Sequence, residues 1–147
     1  MQAFTQGEQV VARLETGEEL FEKLAELAKS HGVKAGVVVL GIGMLSRATL
    51  GYWNGREYAT RELLRPHELV ALHGTIAEVD GVPSLHLHAG LAGPDHELVG
   101  GHLMRGTVGA LVELYVQRFP GHTFGRPLDE SLGLRRLDLH PGPSPPV

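Results

Sequence analysis

The sequence predicts a mostly β domain that carries one amphipathic helix. Three observations lead there. A helical apolar stripe occurs once, between Glu18 and His31. The remainder falls into β-branched and aromatic runs, two pairs of which flank Asn54-Gly55 and Asp80-Gly81. Such dipeptides between strand-like runs are the strongest short hairpin signal, because both favour the left-handed backbone of a tight turn. Glycine makes up 20 of 147 residues, about twice its average share.

Gln9 to Leu14 reads as a short strand. Thr16 and Glu19 then have the spacing of a capping box, in which each side chain accepts from the other's backbone N–H. Leu20, Phe21, Leu24, Leu27 and Ala28 make the apolar face of a helix over residues 18–31, and Gly32 is a suitable stop. Ala35 to Leu40 is apolar on both faces and reads as a buried strand, with Gly36, Gly41, Gly43 and Ser46 arguing against helix. Arg47–Trp53 and Arg56–Leu63 form the arms of the first hairpin. Glu68–Val79 and Val82–Ala92 form the second, where Pro83 is expected to weaken the ladder or to introduce a bulge. A third turn lies between Ala92 and Leu98. Thr107 to Phe119 alternates Val108, Ala110, Val112, Leu114 and Val116 against Gly109, Leu111, Glu113 and Tyr115, and reads as a long buried strand. Pro120 to Gly133 reads as loop, and Leu134 to Leu139 as a last short strand. Residues 1–140 are thus expected to form one domain, and the proline-rich 141–147 a flexible tail.

Composition narrows the function classes. Cysteine is absent, which removes disulfides, thiolate metal sites and cysteine nucleophiles. The N-terminus lacks the basic stretch and apolar core of a secretory signal, and no run is long enough to span a bilayer. These features lead to the expectation of a cytoplasmic protein without membrane contact. The formal net charge is −4, so there is no whole-chain basic footprint for nucleic acid.

Five of the nine histidines lie between His73 and His102. His86 and His88 are separated by one residue, and on a strand such residues point to the same face. On a helix they would diverge by about 200°. If the third turn pairs Ala92 with Leu98, His88 faces His102 and three imidazoles share one face. A slip of one residue would send His102 to the other side. If Asp80-Gly81 closes a two-residue turn, His73 faces His88, as a candidate fourth ligand or outer partner. Three imidazoles suit Zn²⁺, with Ni²⁺, Cu²⁺ and Fe²⁺ also accommodated. Three ligands and an open position suit hydrolytic or hydratase chemistry, whereas four would suit a structural site. The bland alternative has the same histidines hydrogen-bonded at a surface or interface.

Glu113, on an apolar strand, is a candidate base or partner for a ligand histidine, or it pairs with an arginine such as Arg13 or Arg47. Arg13 is a candidate for binding an anion. Gly125-Arg126-Pro127 has the core of a minor-groove hook, but Phe124 precedes it and no basic cluster flanks it, so it reads as loop.

The order of these pieces resembles the PPC domain, a domain shared by plants and prokaryotes. The matching pieces are Arg13-Leu-Glu-Thr-Gly-Glu18, Gly41-Ile-Gly-Met-Leu-Ser-Arg-Ala-Thr-Leu-Gly51, Glu68 to Ile76, Asp80-Gly81, His86-Leu-His88 and Val99-Gly-Gly-His-Leu103, together spanning Gln9 to Leu139. The resemblance implies an α+β fold with a largely antiparallel, strongly curved sheet, and a homotrimer. It also implies a metal, zinc by preference, held by His86, His88 and His102, while His73 stands where the family usually has a small residue. The expected function is a trimeric metal-binding protein whose site takes a small anionic ligand or activates water. A non-catalytic scaffold or a DNA-associated regulator is the rival. Plant members carry a separate hook for DNA, which this chain lacks.

Overall fold

The computed structural model describes residues 1–140, so the tail expected at 141–147 lies outside the described residues. The elements run β1 (Gln2–Gln6), β2 (Gln9–Glu15), α1 (Leu20–Ser30), β3 (Gly36–Trp53), β4 (Tyr58–Leu63), β5 (His67–Val79), β6 (Val82–Ala92) and β7 (Leu98–Arg118). Two-residue strands β8 (Leu128–Asp129) and β9 (Leu134–Arg135) follow. This is one helix against a largely antiparallel curved sheet, an α+β fold. The neighbours run β1-β2-β7-β6-β5-β3-β4, and β3 also pairs with β7. That extra pairing closes β3, β5, β6 and β7 into a ring, which is where the curvature comes from. Among the described residues no helix is long and apolar enough to cross a membrane.

α1 buries Leu20, Leu24, Leu27 and Ala28. They join Val10, Leu14, Leu72, Ile76, Leu87, Leu91 and Leu114 in one core. The expected capping box does not form. Glu19 is the N-cap and makes no capping hydrogen bond with its side chain. Residues 16–19 are still engaged with β7: Gly17 N–H donates to Val108 O, and Val108 N–H donates to Glu18 O. The Thr16 hydroxyl donates to Ala110 O at 2.6 Å, and the Glu19 carboxylate accepts from the Thr107 hydroxyl at 2.8 Å. Strand pairing therefore takes both side chains before the helix begins.

Two expected breaks are absent. The segments read as Ala35–Leu40 and Arg47–Trp53 are one strand, β3, whose register against β7 shifts at several bulges. Gly41 and Gly43 do not end it. A Cβ at Gly43, where φ is +143°, would lie 2.1 Å from Leu111 O, so this glycine lets two backbones touch at a bulge. The outer side of β3 is open rather than buried: Val39, Leu40 and Ile42 are exposed. The third turn leads into β7, which runs unbroken from Leu98 to Arg118. Pro83 introduces no bulge. It pairs with Glu78 in register, and Asp80 and Gly81 both take positive φ, as a two-residue turn of this hand requires. The predicted last strand, Leu134–Leu139, shrinks to Leu134–Arg135.

Candidate metal centre

β6 places His86 and His88 on its outer face, while Leu87 between them is fully buried in the core. β7 supplies His102, which lies directly opposite His88. One ring nitrogen from each of the three histidines lies within 4.8 Å of the others. His86 Nε2 and His88 Nε2 are 3.3 Å apart. Nitrogens at a usual distance from tetrahedral zinc, about 2.0–2.1 Å, stand about 3.3–3.4 Å from each other. The pair therefore already spans one edge of such a site.

Local chemistry holds this arrangement. The Asp80-Gly81 turn fixes β6 against β5, and Gly100-Gly101 lets β7 lie tightly between its neighbours. A Cβ at Gly100 would meet Ala89 O at 2.9 Å, and one at Gly101 would meet Gly51 O at 3.0 Å. The glycines before His102 thus admit protein backbone. Tyr58, at the start of β4, packs on His102 with ring centroids 4.9 Å apart, and Trp53 packs on Tyr58 at 5.2 Å.

The three rings are poor in hydrogen-bond partners. His86 and His88 touch each other, and His102 Nδ1 is buried without a partner among the described residues. Leaving a buried polar atom unpaired costs about 1–3 kcal/mol. Four of the other six histidines behave differently. His31 Nδ1 meets the Thr5 hydroxyl, and His67, His73 and His122 direct Nδ1 at backbone carbonyls. Burial, with His102, Arg126 and His88 nearby, lowers the His86 pKa to about 4. His102 is lowered too, by burial and then by His88. Both rings are therefore neutral near pH 7, with lone pairs free for a metal.

Other candidates fall elsewhere. His73 does lie opposite His88, but its ring turns to β3, where Nδ1 meets Val39 O at 2.8 Å. Glu113 is not on a buried strand face; it is exposed, toward the far end of β7 from His102. It lies across from Arg13 in the β2–β7 register, yet the Arg13 guanidinium pairs with Glu15 at 2.8 Å. Both line a separate cavity of about 600 Å³ with Phe4, Val11, Leu40 and Ile42. They are not brought to the histidines.

One residue that sequence reasoning left in a loop belongs beside the site. Arg126 is 5% exposed. Its Nη2 donates to the Thr75 hydroxyl at 2.8 Å, and Nε is buried with no partner among the described residues. A cavity of about 280 Å³ is lined by His86, His102, Tyr58, Arg126 and Arg135, with Leu85 and Leu134 as apolar walls. No periodicity marks Arg126. The short backbone pairings of Gly125 with Glu78 and Asp138 carry it in.

Comparison with known proteins places the chain. The model of the Plants and Prokaryotes Conserved (PCC) domain matches residues 1–120. The chain belongs to this family. A metal-containing protein from Archaeoglobus fulgidus is 32% identical, with a TM-score of 0.81 over 90% of this chain and 94% of that one. A candidate DNA-binding protein from Ralstonia eutropha JMP134 is 25% identical, with a TM-score of 0.85 over 93% and 95%. Among curated proteins, the bifunctional protein GlmU of a Synechococcus strain is 32% identical over 91% of this chain. The chain spans about a fifth of the length of the curated relatives it matches. The family's description thus agrees with the resemblance seen in the sequence.

Proposed function

We propose that this chain binds a transition metal, zinc by preference, through His86, His88 and His102, and that the site takes a small anionic ligand or activates water. The observation that carries the reading is the triad itself: three imidazoles with ring nitrogens within 4.8 Å, set by strand register, whose rings hydrogen-bond to no other protein group among the described residues. Neutral imidazole nitrogens without a thiolate or carboxylate fit zinc among common metals. When bound, zinc held by three protein ligands supplies an open position that polarises an oxygen ligand or water. The chain's own part is to hold His86 and His102 neutral, fix the spacing of the three rings, and shield one side with Tyr58. The likeness to the metal-containing Archaeoglobus protein supports the same reading.

Self-association as a homotrimer completes the proposal. Phe4, Val11, Leu40 and Ile42 are all exposed and line one cavity on the outer sheet face. An apolar patch of this kind usually marks a protein contact. A DNA-associated or scaffold role draws on the likeness to the Ralstonia protein. The net charge of −4 works against phosphate binding.

Elemental analysis tests the metal reading, on untagged protein purified without added metal or chelator. The triple variant His86→Ala, His88→Ala, His102→Ala serves as the comparison. About one zinc per chain, lost in the variant, is expected. A wild-type protein that neither retains nor takes up metal would sink the reading.

A further inference from the structure

Arg126 is a charge with no counter-charge. Its guanidinium is nearly sealed from water and makes no ion pair among the described residues. Burying an unpaired guanidinium is costly, and such groups are normally paired or hydrogen-bonded throughout. Thr75 takes only Nη2. Arg135 lines the same cavity and donates through Nη1 to Arg126 O. Two arginines and two histidines therefore face a cavity with no acidic residue among the described residues, in a chain whose net charge is −4. A cation on the histidines would raise the positive charge further. One anion spanning the guanidinium and the histidine site would relieve both.

We propose that Arg126 anchors the carboxylate of a small organic acid in the cavity beside the histidine triad, through its unpartnered Nε–H edge. Arginine matches a planar carboxylate better than it matches a point charge, because its donors are fixed in one plane. Leu85 and Leu134 give the rest of the ligand apolar walls, and about 280 Å³ limits it to a short chain. This deepens the metal reading by naming the ligand class of that site. Thr75 is the positioning residue that orients the guanidinium.

The probe is butyrate, titrated calorimetrically into metal-free and zinc-loaded protein, for wild type and Arg126→Gln. Zinc content and thermal unfolding are measured on the same samples. Wild type is expected to bind butyrate. Arg126→Gln is expected to weaken it roughly ten- to hundredfold, the usual worth of a charge-assisted hydrogen bond, with zinc content unchanged. Equal affinity in both proteins overturns the proposal, and so does absence of binding to wild type in either metal state. Tighter binding of inorganic phosphate than of butyrate overturns the carboxylate assignment. Arg126-dependent binding by protein that takes up no zinc supports the anion site while sinking the metal reading. If Arg126→Gln fails to fold, nuclear magnetic resonance of wild type decides: butyrate should shift the Arg126 Nε–H signal, and an unmoved signal overturns the proposal.

Discussion

Gly74→Ala should damage the candidate metal centre without replacing a histidine. Gly74 sits on β5, paired with Leu87 on one side and Val38 on the other. It lies between His73 and Thr75, which face His88 and His86. An alanine Cβ there would stand 2.0 Å from His86 O and 2.8 Å from Leu87 Cδ2. Real Cβ contacts stay beyond 3.0 Å, so β6 must withdraw by about 1 Å at His86. Metal sites tolerate errors of about 0.2 Å in ligand position. The crowding should cost about 1–3 kcal/mol of stability. Gly90→Ala, on β6 itself, is the control. Its Cβ would first meet Val70 Cγ2 at 3.4 Å, an ordinary contact. That variant should be neutral, or more stable by up to about 1 kcal/mol through a less flexible unfolded chain. Urea denaturation of metal-free protein and competition for zinc against a chromophoric chelator read the two effects. The reasoning fails if Gly74→Ala matches Gly90→Ala in both.

Three further outcomes are expected. In metal-free protein His86 should stay neutral until the pH nears 4, whereas an unfolded histidine takes its proton near 6.5. Between those values the unfolded chain binds more protons, so this residue lowers stability as pH falls through that window and contributes nothing above it. Removing the positive neighbour in Arg126→Gln should raise the His86 pKa, while burial holds it below 6.5; a ¹⁵N-edited histidine titration showing no rise would contradict this. Ile42→Glu places a charge on the outer face, where Ile42 is 39% exposed. The variant should fold normally and sediment as a monomer, whereas wild type is expected to sediment as a larger species if the proposed trimer forms; equal sedimentation of the two would remove that face from the proposed contact.

The parts of this molecule that the sequence makes legible are those set by local chemistry. Asp80-Gly81 dictates a two-residue turn, and counting outward from it pairs His73 with His88. The same count from the third turn pairs His88 with His102. Register over a few residues needs no knowledge of the rest of the fold. Counting fails over longer distances, because bulges reset it. β3 shifts register against β7 several times, and that turned two expected strands into one. β1 escaped notice because Gln2–Gln6 is almost wholly exposed and so carries no apolar alternation. Glu113 was misplaced for a related reason. Its strand is apolar on both sides, and among the described residues the side carrying Leu111 and Glu113 is left exposed.

Arg126 shows the deeper limit. The histidines come from adjacent strands of one meander, so their meeting is inexpensive in loop entropy and is written in their spacing. Arg126 meets Thr75 across 51 positions, through a loop held by single backbone bridges rather than a ladder. No periodic signal exists for such a placement. Its only sequence trace is a glycine before and a proline after, which read equally well as a plain turn. Yet under the proposed reading this placement would decide what the site accepts. Three imidazoles alone would select a class of metal and say little about the ligand. A buried guanidinium beside them would favour negative charge, and the Leu85 and Leu134 walls a short organic chain. The histidine triad of this chain is thus encoded locally, and the charge set beside it by a long-range contact.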